Sequence, residues 1–211
     1  MNLKRKTNKN AAVIVAHPDD ETLWAGGTIL IGTDYNWHII SLCRGDDPER
    51  SPRFFNALTI LEAEGKMGNL DDGPEQKPLP PQEIGESILS LMPCLEYDII
   101  VTHSPDGEYT RHKRHEEIGQ QVIQMWKNKK LSSRQLWLFA YEDGGGEYLP
   151  RPIKSADRFI ELERIIWEKK YSIITEVYNF SVNSFEAKTV PLCEGFWCFD
   201  SRQKFFMEVS T

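Results

Sequence analysis

Six consecutive apolar residues, Ala11 to Ala16 (AAVIVA), run straight into His17-Pro18-Asp19-Asp20-Glu21. A run this short and rich in β-branched residues reads as a strand covered on both faces. Three further stretches share that character: WHIISLC (37–43), YDIIVTHS (97–104) and QLWLFAYE (135–142). Between the runs, TLWAGGTILI, SPRFFNALTILEAEG, PPQEIGESILSLMPCLE and RHEEIGQQVIQMWKNKK carry helical patterns. Ser51 and Pro52 read as a cap with proline at the first helical position, and Gly65 as the stop of that helix. Strands alternating with helices predict a single α/β domain, a doubly wound and mostly parallel sheet flanked by helices.

In such a sheet ligands sit beyond the carboxyl ends of the strands. That puts three loops on one rim: His17 to Glu21, Arg44 to Asp47, and Ser104 to Thr110. The chain after Gly144 is less legible. DRFIELERIIWEKKYSIITEVY (157–178) reads as a long helix, and VPLCEGFWCFDSRQKFFM (190–207) as an aromatic ending packed on the core. EDGGGEYLP (142–150) reads equally as a flexible flap or as a plain strand connection.

A length of 211 residues suits one domain, here 11–211 after a basic, flexible stretch over 1–10. The net charge of −7 argues against nucleic acid or an anionic membrane as partner. No apolar run is long enough to span a membrane, and the one after the basic opening is cut short at His17. A soluble cytoplasmic protein is expected, with homo-oligomerisation left open. Cys43 and Cys94 sit in apolar stretches as small hydrophobes. Cys193 and Cys198 could pair or bind metal, but with no C-x-x-C spacing reduced thiols are the plainer reading.

The loops carry the chemistry. In HPDDE, neighbouring side chains of an extended loop point different ways, so Asp19 and Asp20 are unequal: one can bind a cation beside His17 while the other faces a substrate or a water. The competing reading sets Asp20 or Glu21 against the positive end of the next helix. In THSPDGEYTRHKRHEEIG (102–119), His112 and His115 share a helix face with Ile118, Val122 and Trp126. Alone that pair would read as core or capping histidines. Yet of the five histidines in the chain, His17, His103, His112 and His115 all fall in or beside two rim loops. Two histidines and a carboxylate meet the ligand count of a catalytic zinc, which lowers the pKa of its water to about 7. A free carboxylate could then take a proton and a further histidine could stabilise an oxyanion.

With AHPDDE (16–21), the CRGD loop after the second strand, Arg53 in RFFNALTILEAEG, NLDDG (69–73) and THSPDGEYTRHKRHEEIG, the sequence resembles the PIG-L (LmbE-like) zinc-dependent N-deacetylase family over roughly 11–125. The resemblance implies a Rossmann-like fold and removal of an N-acyl group, most often N-acetyl, from an amino sugar or sugar conjugate. It implies His17, Asp20 and His115 as ligands of Zn2+, with Fe2+ as an alternative, Asp19 as general base and His112 as oxyanion stabiliser. Arg53 falls where such proteins hold a polar part of the substrate, although a solvated helix arginine fits as well. Asp106, Glu108 and Tyr109 are further candidates for substrate contact.

Two departures stand out. Many members carry an acid just before the second histidine, where this chain has Arg114. Another acid, Asp106 or Glu108, would then have to keep His112 protonated, or the mechanism shifts. The acid that usually follows the helix arginine by three residues is replaced by Asn56. Two rival readings persist: an amidase acting on a thiol-sugar conjugate or acylated antibiotic precursor, and a metal-binding member of the fold without turnover.

Overall fold

A computed structural model of the chain describes residues 9–93 and 96–200, so Cys94 and the first eight residues lie outside it. The elements follow as β1 (Asn10–Val15), α1 (Asp20–Ile31), β2 (Asn36–Cys43), α2 (Arg50–Leu61), β3 (Glu64–Leu70), α3 (Pro81–Leu91), β4 (Tyr97–Thr102) and α4 (Lys113–Lys127). Then come β5 (Ser133–Phe139), β6 (Tyr141–Glu142), β7 (Arg151–Pro152), β8 (Arg158–Glu161), α5 (Arg164–Ser172) with a π-helical turn over Ile173–Val177, α6 (Phe185–Thr189) and β9 (Cys193–Phe199). Seven strands form one sheet in the order β3-β2-β1-β4-β5-β9-β8. The first five are parallel, and β9 and β8 close the edge in antiparallel fashion.

The apolar first strand is buried on both faces, as its composition demands. Ala11, Val13 and Val15 pack with α1 and α2 on one side, while Ala12, Ile14 and Ala16 pack with α3 and α4 on the other. The chain builds outward from β1 to β2 and β3, then returns to place β4 on the other flank of β1. The crevice opposite that reversal is where ligands enter sheets of this kind.

Several expectations need correction. Helix α2 begins before Ser51: Asp47 Oδ1 accepts the backbone N–H groups of Glu49 and Arg50, both at 2.9 Å, and caps the start. The helix stops at Leu61, because Glu62 turns left-handed (φ 54°). Gly65 then lies in β3, where a Cβ would come within 2.3 Å of the Ile39 carbonyl. The long helix expected over 157–178 is a strand followed by a shorter helix, since Arg158–Glu161 hydrogen-bonds to β9. The glycine-rich stretch after Glu142 joins β6 to β7 as an antiparallel connection. Among the described residues no helix is long and apolar enough to cross a membrane.

Candidate metal centre

Three rim loops meet at the β1/β4 reversal, and their polar side chains are packed as if in a core. His115 and His103 are fully buried, and Asp20 and Asp19 are nearly so. Helix α4 comes close enough to bring His115 in because Gly119 faces the end of β4; a Cβ there would lie 2.6 Å from the His103 carbonyl.

Three donor atoms converge. Asp20 Oδ2 lies 3.2 Å from His17 Nδ1 and 3.3 Å from His115 Nε2, and the two nitrogens are 3.3 Å apart. Donors about 2.0–2.1 Å from a tetrahedral zinc are separated by roughly 3.3 Å. The triangle therefore fits a small divalent cation with one position left toward the cavity.

Each of these residues is also held from behind. The Trp24 indole donates to Asp20 Oδ1 at 3.1 Å, and the His17 backbone N–H donates to Oδ2 at 2.8 Å, fixing the carboxylate with Oδ2 toward the two histidines. Glu108 Oε2 sits 2.6 Å from His115 Nδ1 and so orients that ring from its far side. Such carboxylate–histidine pairs fix the tautomer of a metal-binding imidazole. Burial works against a charge on His115, but Asp20 and Glu108 outweigh it and raise its pKa to about 10. Burial would likewise push Asp20 up, yet the neighbouring histidines hold it well below the usual carboxylate range.

His103 also lies within reach of Asp20 and His115, but its ring is already committed. The Ala16 backbone N–H donates to Nε2 at 3.0 Å, so Nδ1 carries the proton and gives it to Glu108 Oε2 at 2.9 Å. His103 thus has no free lone pair for a cation.

A cavity of about 190 Å³ is lined by His17 and Asp20 of this triangle, while the fully buried His115 lies behind its wall. Asp19 and His112 face it, with Arg44, Arg50, Tyr109 and Phe185 on its walls. Asp19 adopts φ 125°, a costly conformation for a residue with a side chain. Its backbone N–H donates to Glu21 Oε2 at 3.0 Å, and Glu21 Oε1 accepts the hydroxyls of Thr22 and Tyr178 at 2.6 and 2.7 Å. Burial and the Asp20 charge push the Asp19 carboxyl well up, against the pull of Arg50, whose Nη1 is 3.0 Å away.

His112 lies against both candidate histidine ligands, stacked on His115 with centroids 4.2 Å apart and edge-on to His17. Among the described residues no acid pairs with it, and its Nδ1 is buried without a hydrogen-bond partner. Burial, followed by the charges of His115 and His17, lowers its pKa to about 3. The expectation that Asp106 or Glu108 protects its proton therefore fails. Asp106 is exposed and off the cavity wall. Glu108 is buried, occupied by His103, His115 and the Ser104 N–H, so it lies behind the histidines and not on the substrate side.

Of the expected substrate-facing residues only Tyr109 lines the cavity. Arg53 turns away, donating to the Tyr178 carbonyl at 2.9 Å and to Glu49 at 3.1 Å. Arg50, one turn earlier, takes its place. A residue not among the candidates, Asp72, also reaches the site: its Oδ1 is 3.2 Å from His17 Nε2, near enough to pair although not aligned as a hydrogen bond. Asp72 Oδ2 accepts from Arg44 Nε and Nη2 at 3.1 and 2.9 Å. NLDDG was visible as a motif, but nothing local distinguishes Asp72 from Asp71. Phe185 and Glu186 enter from the C-terminal region, where no signal marked them.

An open, mostly parallel sheet with a His–Asp–His donor set at its reversal point is a Rossmann-like architecture whose geometry suits a divalent cation. Residues 12–126, more than half of the chain, match the family model PIG-L, described as GlcNAc-PI de-N-acetylase. The chain belongs to this family. No curated protein matches the sequence significantly. Among solved structures, the N,N'-diacetylchitobiose deacetylase from Pyrococcus horikoshii is similar with a TM-score of 0.71 at 16% identity, covering 96% of this chain and 88% of that one. A triple-mutant deacetylase of the teicoplanin biosynthetic pathway gives 0.66 at 15%, over 92% and 99%. The 4-carboxy-2-hydroxymuconate hydratase GalB from Pseudomonas putida gives 0.57 at 17%, over 90% and 95%. At such identities the likeness is one of fold, and the hydratase shows that the fold alone does not choose the reaction.

Proposed function

We propose that the protein is a zinc-dependent N-deacetylase acting on an N-acetylated amino sugar or sugar conjugate. The observation that carries this reading is the donor triangle of His17, Asp20 and His115 with Asp19 and His112 facing the same cavity. The family description and the two deacetylases of similar fold support it. A divalent cation held there supplies a Lewis acid and acidifies a water to a pKa of about 7.

The chain's own residues do the rest. Asp19 takes the proton of the attacking water; burial and the Asp20 charge hold its carboxyl above the usual range, the direction that strengthens a general base. Arg50 keeps the Asp19 carboxylate turned toward the cavity. The protonated Asp19 then returns the proton to the leaving amine. His112, neutral in its buried setting, still carries one N–H and can donate it to the developing oxyanion. Catalysis thus needs no acid beside His112, which accounts for the tolerance of Arg114 before His115. Tyr109 and Phe185, with ring centroids 5.1 Å apart, give the cavity an apolar wall suited to an acyl methyl or a sugar face.

The test is free-amine release by zinc-loaded protein from a panel of N-acetylated sugars, sugar phosphates and sugar conjugates, with Asp19→Asn as control. Release that disappears in the variant is the expected result. No release from any member, with zinc shown to be bound, would sink the deacetylase reading.

A further inference from the structure

The arginine that stands before His115 is completely buried, and none of its bonds goes to the donor triangle. Arg114 Nε donates to the Asp71 carbonyl at 2.5 Å and Nη2 to the Lys77 carbonyl at 2.8 Å, while Nη1 bonds the Glu117 carboxylate. Its neighbours on the first turn of α4 reach the same segment. Lys113 Nζ donates to the Gln76 carbonyl at 3.1 Å, and Glu117 Oε1 accepts the Leu79 N–H at 3.3 Å. The segment they grip, 71–79, has neither helix nor strand of its own. Pro74 and Pro78 offer no backbone N–H for internal bonding. It is anchored from α4, and it carries Asp72 to His17.

We propose that Arg114 is a positioning residue for the metal centre, acting through Asp72 on His17. This rests on the zinc-site reading above. The guanidinium fork fixes the backbone on both sides of the turn that presents Asp72. Asp72 in turn stands against His17 Nε2, so that Nδ1 points at Asp20 and His115. A carboxylate at the far nitrogen sets the orientation and basicity of a ligand imidazole, and its loss typically costs 10–100-fold in metal affinity. Lysine could not replace the arginine, because a point charge cannot hold two carbonyls and a carboxylate in one plane. In this chain the residue before His115 thus serves the other histidine ligand, from across the site.

The experiment is zinc affinity by competition with a chromophoric chelator, for the full chain and for Arg114→Met, Asp72→Asn and the double variant. Each single change is expected to weaken zinc binding about 10–100-fold. The double variant should be no weaker than Asp72→Asn alone, because the two residues act in series. Losses that add in full, or an unchanged affinity in Arg114→Met, would overturn the proposal. If Arg114→Met fails to fold, Asp72→Asn still decides: unchanged affinity there removes the link to His17. Wild-type protein that binds zinc while the variants bind it equally well refutes this inference alone. Wild-type protein that binds no zinc refutes the site reading beneath it.

Discussion

Helix α1 touches two clusters of buried charge, and they differ in what they leave unfinished. Toward its C-terminal half, Glu194 and Lys170 are both fully buried and paired at 2.6 Å. Glu194 also accepts the N–H groups of Gly27 and Thr28 and the Thr28 hydroxyl, at 2.6–2.8 Å. Burial lowers the Lys170 pKa against the pull of Glu194, yet the carboxylate is satisfied on all sides. At the N-terminus of the same helix, Asp19, Asp20 and three histidines are packed together with donor atoms aimed at one point and an unpartnered His112 Nδ1. A closed cluster ties α1, α5 and β9 together. The open one keeps donor atoms pointing at one place.

The strongest attempt to break this contrast removes a donor. Asp20→Ala should bring both zinc content and turnover to background, as metal analysis and an amine-release assay would show. Retained stoichiometric zinc would mean that His103 or His112 substitutes, which the commitments of His103 argue against.

Asp19→Asn comes next. Asparagine tolerates positive φ better than most residues, so the backbone at φ 125° should survive. Turnover should fall about 10²–10⁴-fold with zinc still bound. Equal loss of zinc and turnover would show that Asp19 is a ligand and not the base.

How far these roles could be read from the sequence depended on distance along the chain. His17, Asp19 and Asp20 follow a buried strand directly, and His112 and His115 open a helix whose apolar face is periodic, so local pattern and spacing marked them as candidates, while the division into ligands, base and oxyanion stabiliser is implied only by the family resemblance. The parallel core was legible for the same reason. Strand β3 was not: it lies at the sheet edge with Gly65, Lys66 and Gly68 in it, and carries no apolar run. Strand β8 was mistaken for helix because Phe159, Ile160 and Leu162 suit either element, and only pairing with distant β9 decides. The choice between Arg50 and Arg53 was likewise invisible. Three apart on one helix, they are separated by the Tyr178 carbonyl, which captures Arg53.

The closed cluster yields a prediction of the opposite kind. Lys170→Met strips one partner from a buried pair and should cost about 3–5 kcal/mol of folding stability. The lower end is expected, since three donors to Glu194 remain. Urea unfolding would measure the loss, and zinc affinity per folded molecule should not change. A matching fall in affinity would show that the two ends of α1 are coupled after all.

The smallest effect is the one that most sharpens the contrast. With no cation present, the acids of the open cluster retain a proton on His115, whose pKa is about 10. Because that value is raised, the stabilisation it brings to the metal-free fold is complete below about pH 6.5 and fades as pH climbs through about 10. A cation taking His115 Nε2 must first displace the proton. Apparent zinc affinity should therefore keep rising at least tenfold per pH unit between pH 7 and 8, where an ordinary histidine would already have levelled off. Calorimetry in buffers of different ionisation enthalpy should count about one proton per zinc from His115 at pH 7.5, in addition to what a cation-bound water of pKa about 7 releases. No proton release beyond that of the water would mean that His115 is neutral in the free protein, and that Asp20 and Glu108 are balanced by some other charge. The Lys170–Glu194 pair, with no donor left over, should contribute nothing to that proton count.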